Sequence, residues 1–262
     1  MLQVNGISLH VEDHGSGKPV LLLHGWPDSS YLWRNQIPVL VANGFRAIAP
    51  DLRGFGRSDR PEGVTAYFLQ NAVADVAGIL DALGIDAADI VAHDWGAVVA
   101  WLTATAYPNR VRKLVVLSVA HPLAPSTLRQ REMAWYQLFF QFEGIAEAWL
   151  QHDNWSLFRE MLRGNGDVDR YISDLSRPDA LRASLNWVPR EPRSAPAEVA
   201  SQAAARGGSN AWHLVLKRRL PRRRTHEDIR TLRERALALR ADRRRQSLDS
   251  TGRARPAEPA PP

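Results

Sequence analysis

The sequence predicts an α/β fold, a mostly parallel sheet with helices on both faces. Three observations predict it. Short apolar runs recur at Val20-Leu21-Leu22-Leu23, Phe45 to Ala49, Ile90-Val91-Ala92 and Leu114 to Leu117. Runs without polar alternation suit strands buried on both faces. Between them, apolar residues fall at helical spacing. One run, Ile90 to Ala92, leads through a turn bearing an acidic residue directly into a further apolar helix.

Taken in order, Ile7 to Glu12 is the first strand candidate. Val20 to Leu23 and Phe45 to Ala49 follow. Phe68 to Leu83 sets Leu69, Val73, Val76, Ile79, Leu80 and Leu83 at helical spacing and stops at Gly84, a good C-terminal stop. Ile90 to Ala92 is a strand, Ala97 to Leu102 a helix and Leu114 to Leu117 a strand. After Ala120-His121-Pro122 aromatic residues become dense: Trp135, Tyr136, Phe139, Phe140, Phe142, Trp149, Trp155 and Phe158. Helical periodicity continues to about Leu185. The plain reading of these aromatics is the core of a helical subdomain.

A chain of 262 residues suits one core domain with an inserted subdomain. The absence of cysteine excludes disulfides and thiolate metal sites. Residues Met1 to His10 include Gln3, Asn5 and Ser8 and do not read as a signal peptide. No stretch approaches the roughly 20 apolar residues of a membrane span. A soluble cytoplasmic protein is expected. The net charge of +6 hides an asymmetry: residues 1–187 hold 16 Lys/Arg against 20 Asp/Glu, a balance of −4, and residues 188–262 hold 18 against 8, a balance of +10. An ordinary acidic body is joined to a basic tail.

Three motifs concentrate the chemistry. The turn reads Ala92-His93-Asp94-Trp95-Gly96, small residues two positions on either side of an aspartate. A nucleophile on a sharp strand-to-helix turn needs small neighbours, because the turn crowds them. Asp94 as a simple helix N-cap is the alternative, but it leaves the small residues unexplained. Upstream stand His24-Gly25-Trp26-Pro27 and the loop Asp51-Leu52-Arg53-Gly54-Phe55-Gly56-Arg57-Ser58-Asp59. In this order and spacing, the HGxP, DxxGxGxSD and HDWG motifs resemble the α/β-hydrolase superfamily, in its epoxide hydrolase and haloalkane dehalogenase branch. The resemblance covers about residues 1–187.

The resemblance implies residues 1–120 as the N-terminal part of an α/β-hydrolase core and 121–187 as a helical cap. It implies Asp94 as the nucleophile, forming an alkyl-enzyme ester that water cleaves to a diol. The epoxide oxygen needs a proton as the ring opens. Tyr136, in the stretch Tyr136 to Glu147, is the implied donor. Backbone N–H groups of Trp26 and Trp95 are the implied oxyanion hole. Trp26 also favours the epoxide hydrolase over the dehalogenase, where Asn is common at that position. His24, Gly25, Pro27, His93 and Gly96 are expected to shape the two loops. Asp51 and Asp59 are expected to structure theirs, with Arg53 and Arg57 as available partners. The loop glycines come with no Walker lysine and no dinucleotide fingerprint. No cofactor and no metal is expected, and the expected partner is a small apolar epoxide or related electrophile.

The family's later acid and its water-activating histidine have no recognisable counterpart after Trp187. His213 and His226 lie in basic, motif-free surroundings. The family carries a second cap tyrosine in a Leu-Asn-Trp-Tyr-Arg stretch. Here Leu185-Asn186-Trp187 continues as Val188-Pro189-Arg190. These residues can be encoded so that removal of one base restores Tyr-Arg in the neighbouring frame. We read the break as a change of reading frame, which the coding DNA decides. The last strands of the sheet are then missing, Leu232 to Leu239 forms at most transient helix, and Arg255 to Pro262 is expected to be disordered. Three alternatives stay open: a dehalogenase-like hydrolase, a non-catalytic remnant that binds small apolar ligands, and phosphate binding by Arg218-Arg219, Arg222-Arg223-Arg224 or Arg243-Arg244-Arg245. Specific nucleic-acid binding is not expected, because no nucleic-acid fold accompanies these clusters.

Overall fold

A computed structural model describes residues 1–188. The expectations for the tail beyond them lie outside the described residues: its disorder, the helix at Leu232 to Leu239, the missing strands, the arginine clusters, His213 and His226.

The described residues form seven strands: β1 (Leu2–Val4), β2 (Ile7–Leu9), β3 (Val11–His14), β4 (Lys18–Leu23), β5 (Phe45–Pro50), β6 (Ala88–His93) and β7 (Val111–Leu117). β1 and β2 form a small antiparallel hairpin. The other five make one sheet in the order β3-β5-β4-β6-β7, parallel except for the β3–β5 pair. β4 sits at the centre, and Val20 to Leu23 are all buried. That is why this strand reads as an unbroken apolar run rather than an alternating one.

Helices α1 (Gln36–Ala42), α2 (Leu69–Ala82) and α3 (Trp95–Ala106) connect the strands. α2 buries Ala72, Val73, Val76, Ile79 and Leu80 against the main core. Gly84, which follows its end, has φ +64°, a left-handed conformation that costs glycine little. Five helices follow β7: α4 (Leu128–Met133), α5 (Trp135–Phe139), α6 (Ile145–Met161), α7 (Val168–Leu175) and α8 (Ala180–Leu185). All but α4 pack into a second apolar cluster built from Phe140, Leu150, Phe158, Tyr171, Leu175, Leu181, Leu185 and Val188. The dense aromatics thus divide: Phe140, Trp155 and Phe158 are buried, while Trp135, Phe142 and Trp149 are exposed.

The structure corrects several sequence expectations. The strand expected over Ile7 to Glu12 is two strands broken at His10, because β2 pairs with β1 and β3 pairs with β5. The hairpin and α1 were not expected. α1 buries no residue, so its sequence carries no clear amphipathic stripe. The periodicity through residue 161 is interrupted: Asp153, Asn154 and Trp155 have φ of 47°, 51° and 63° inside α6. Arg53 does not pair with Asp51 or Asp59. It makes a buried two-pronged bond to Asp75, Nε to Oδ2 at 2.6 Å. Asp51 instead accepts the backbone amides of Ser30 (2.7 Å) and Arg57 (2.8 Å), and Asp59 accepts that of Ser8 (2.8 Å).

Candidate active site

Asp94 lies between the end of β6 and the first residue of α3, with φ 53° and ψ −122°. A non-glycine residue there is strained by about 1–3 kcal/mol. The surroundings hold it in place. Its carbonyl accepts Ala97 N at 2.9 Å and Val98 N at 3.2 Å, the first bonds of α3. A side chain at Gly25 would collide with the Asp94 carboxyl, and one at Gly96 would collide with the Leu23 and His24 carbonyls. Both glycines are therefore required by close approach: the loop after β4 presses directly on this turn.

That contact is polar as well as steric. Trp26 N donates to Asp94 Oδ1 at 2.9 Å. Trp95 opens α3, and the first amides of a helix have no acceptor within it. The loop after β4 thus sets one backbone donor, Trp26 N, on the carboxylate.

Both nitrogens of His24 are engaged: Nδ1 lies 2.9 Å from Gly25 O, and Nε2 accepts Leu52 N at 2.9 Å. The second bond assigns the proton to Nδ1. Burial pushes this imidazole below its ordinary value, so it is held neutral. Pro27 is buried and joined to Trp26 by a cis peptide bond. His93 ends β6, opposite Leu117 in the register.

A small cavity of about 30 Å³ is lined by Trp26, Asp94, Trp95, Tyr136, Phe140, Ser184 and Val188. It joins the two loops to the helices after β7. Four expected residues, Asp94, Tyr136, Trp26 and Trp95, therefore meet in one place. His24, Gly25, Pro27, His93 and Gly96 do not line it. Tyr136 is half-buried, and burial, then the Asp94 charge, push its phenol above the ordinary value. The Trp26 indole packs on Phe140 (ring centroids 4.9 Å apart) and Phe158 (5.6 Å). Its Nε1 donates to Ser184 Oγ at 3.3 Å.

Sequence reasoning missed Phe140 and Ser184 as lining residues. Phe140 was one of many aromatics, and a lone serine gives no signal. Val188 lines the cavity at the position where the resemblance leads one to expect a tyrosine. Among the described residues, no group of three or more His, Asp and Glu is arranged to hold a metal ion, and no helix is long and apolar enough to cross a membrane.

Residues 18–163 match the model of the alpha/beta hydrolase fold family. The chain is 36% identical over 201 residues to the AB hydrolase superfamily protein YfhM of Bacillus subtilis, covering 71% of this chain and 70% of that one. It is 45% identical over 154 residues to epoxide hydrolase 2 of Siraitia grosvenorii, covering 56% of this chain and 49% of that one, so it spans about half of that relative. The crystal structure of the Bacillus megaterium epoxide hydrolase in complex with an inhibitor superposes with a TM-score of 0.66 at 29% identity, covering 76% and 74% of the two chains.

Proposed function

The chain belongs to the alpha/beta hydrolase fold family, and we propose that within it this site opens epoxides through an ester on Asp94. The observation that carries this reading is the bond from Trp26 N to Asp94 Oδ1. It makes the two carboxylate oxygens unequal. Oδ1 is held by a donor, which stabilises it as the carbonyl oxygen of an ester and later as an oxyanion. Oδ2 is left to attack.

Oδ2 forms a bond to an epoxide carbon, the ring C–O bond breaks, and the ring oxygen takes the Tyr136 hydroxyl proton. Tyr136 lines the same cavity as Asp94, which supports this role. The tyrosinate regains its proton from water. Cleavage of the ester to a diol needs an activated water. Among the described residues no imidazole lines the cavity, so formation of the ester is the half of the reaction that these residues carry. Residues 1–120 act as the core and 121–187 as a cap. The substrate is a small apolar epoxide. We place the activity in the cytoplasm, a reducing compartment with which a cysteine-free chain is compatible.

Dehalogenation is disfavoured by the same site. The Trp26 indole N–H is occupied by Ser184 rather than free for a halide.

The test is intact-mass spectrometry after treatment with an aryl epoxide such as styrene oxide. One adduct per chain is expected, or diol release if the ester turns over. Asp94→Asn abolishes both, and Tyr136→Phe slows the first step about a hundredfold. Neither adduct nor diol from the unaltered chain, or an adduct that survives Asp94→Asn, overturns the reading.

A further inference from the structure

The cavity holds only about two or three waters. The cavity wall is shared between the loop after β4 and the helices after β7, and the proposed proton transfer needs Tyr136 held at a set distance from Asp94. What fixes the distance of these helices from the turn is therefore part of the site.

Beside the Trp26–Ser184 bond and the buried bond from Trp187 Nε1 to Arg53 O at 3.0 Å, one set of fixing contacts joins the loop after β4 to α7. Asp28 lies two residues after Trp26, and its Oδ2 accepts the Tyr171 hydroxyl of α7 at 2.9 Å. Both residues are buried, at 7% and 4% exposure. The other Asp28 oxygen accepts Ser29 N at 2.8 Å, which ties the carboxylate to its own loop. Burial raises the Asp28 carboxyl, and burial followed by the Asp28 charge raises the Tyr171 phenol. Further out, Arg34 bonds Asp167 at 2.7 Å, and Tyr31 lies under the guanidinium groups of Arg34 (4.2 Å) and Arg170 (5.0 Å). These outer contacts are half-exposed and individually weak. The Asp28–Tyr171 bond is dry.

We infer that Asp28 and Tyr171 are positioning residues, a latch that sets how closely α5 and α8 stand over Asp94. The inference rests on the reading of Asp94 as nucleophile. The transmission is physical: Tyr171 belongs to the same apolar cluster as Phe140, Leu181, Leu185 and Val188, so a shift of its ring moves the cavity lining. On the other side, Asp28 N donates to Gly25 O at 3.0 Å, within the loop that presents Trp26 N to Asp94. Alongside the Trp26–Ser184 bond, the Asp28–Tyr171 bond thus ties the two walls of the cavity without touching the reacting atoms.

The test uses the full chain with styrene oxide and follows Asp94 alkylation by intact mass across epoxide concentrations. Tyr171→Phe removes only the hydroxyl. It is expected to lower the limiting alkylation rate about tenfold and to change the half-saturating epoxide concentration, with every molecule still labelled at long times. A merely structural role would instead reduce the fraction labelled and leave both constants unchanged, and that result overturns the latch. Asp28→Asn keeps an acceptor oxygen and should stay closer to the unaltered chain than Asp28→Ala does; equal effects count against the bond.

Hydrogen exchange supplies a readout independent of alkylation. Tyr171→Phe should speed exchange in residues 135–140 and 180–185 and leave β4 and β6 unchanged. Unchanged exchange in the helices overturns the latch even if the function stands. If the unaltered chain is never alkylated, the proposed function fails, and exchange alone decides whether Asp28 and Tyr171 hold the helices down.

Discussion

Leu21, Leu22 and Leu23 of β4 are at most 1% exposed, whereas Leu128, Leu138 and Trp149 of the later helices are 74%, 63% and 61% exposed. The two regions are held by different means. The sheet is tied by continuous backbone ladders and, at β4, by burial on both faces. The helices after β7 meet it through the cavity wall, the Trp26–Ser184 bond, the buried Trp187–Arg53 bond with Ala183 and Trp187 in the main core, and the contacts of α7 with the loop 28–34. Asp94 stands on the stiff side and Tyr136 on the looser one. The lesson is that the strained backbone of Asp94 sits where the surroundings over-determine it, while the proposed proton donor sits on the part with more exposed side chains.

The strongest way to break the comparison is at the buried Arg53–Asp75 pair, on the sheet side. Asp75→Asn leaves a guanidinium at 4% exposure without its counter-charge. A loss of about 3–5 kcal/mol is expected from urea unfolding. A loss below about 1 kcal/mol would mean that the core is not held as described.

Val188→Tyr sharpens the looser side. It adds a phenol at a cavity-lining position, where the change of reading frame would restore one. Alkylation of Asp94 should be faster by about tenfold, measured by intact mass. An unchanged or slower rate counts against both the second-acid role and the frame change.

A pH comparison comes next. Burial holds the imidazoles of His24 and His10 below the ordinary value. The unfolded chain therefore takes up these protons first as pH falls. Their contribution to stability is full above the ordinary histidine range and is lost on descending through it. The urea midpoint should fall between about pH 7.5 and about pH 5.5. A midpoint that rises over this interval would contradict the neutral assignment of His24.

The smallest effect is expected at an exposed helix position. Leu138→Gln, at 63% exposure, should change stability by no more than about 0.5 kcal/mol. A larger loss would reveal packing on this face.

Most of the sheet was legible in the chain because local chemistry dictates it. Val20 to Leu23, Phe45 to Ala49 and Ile90 to Ala92 could only be strands covered on both faces, and the small residues around Asp94 announced a crowded turn. The hairpin β1–β2 and helix α1 were illegible: three-residue strands are too short for a period, and a helix with no buried residue has no stripe to read. Gly25 and Gly96 could be named from motifs, but that one faces the Asp94 carboxyl and the other the Leu23 and His24 carbonyls required coordinates.

The sequence by itself determined the fold class and the crowded turn at Asp94, because these rest on neighbours within a few residues. Tertiary structure decided the partners. Arg53 chose Asp75, 22 residues away; Trp26 bonds Asp94 and Ser184, 68 and 158 residues away; Asp28 bonds Tyr171 across 143 residues. A side-chain polar group carries no sequence record of its distant partner. Burial decides that a partner is needed, and only the packed chain decides which one is within reach.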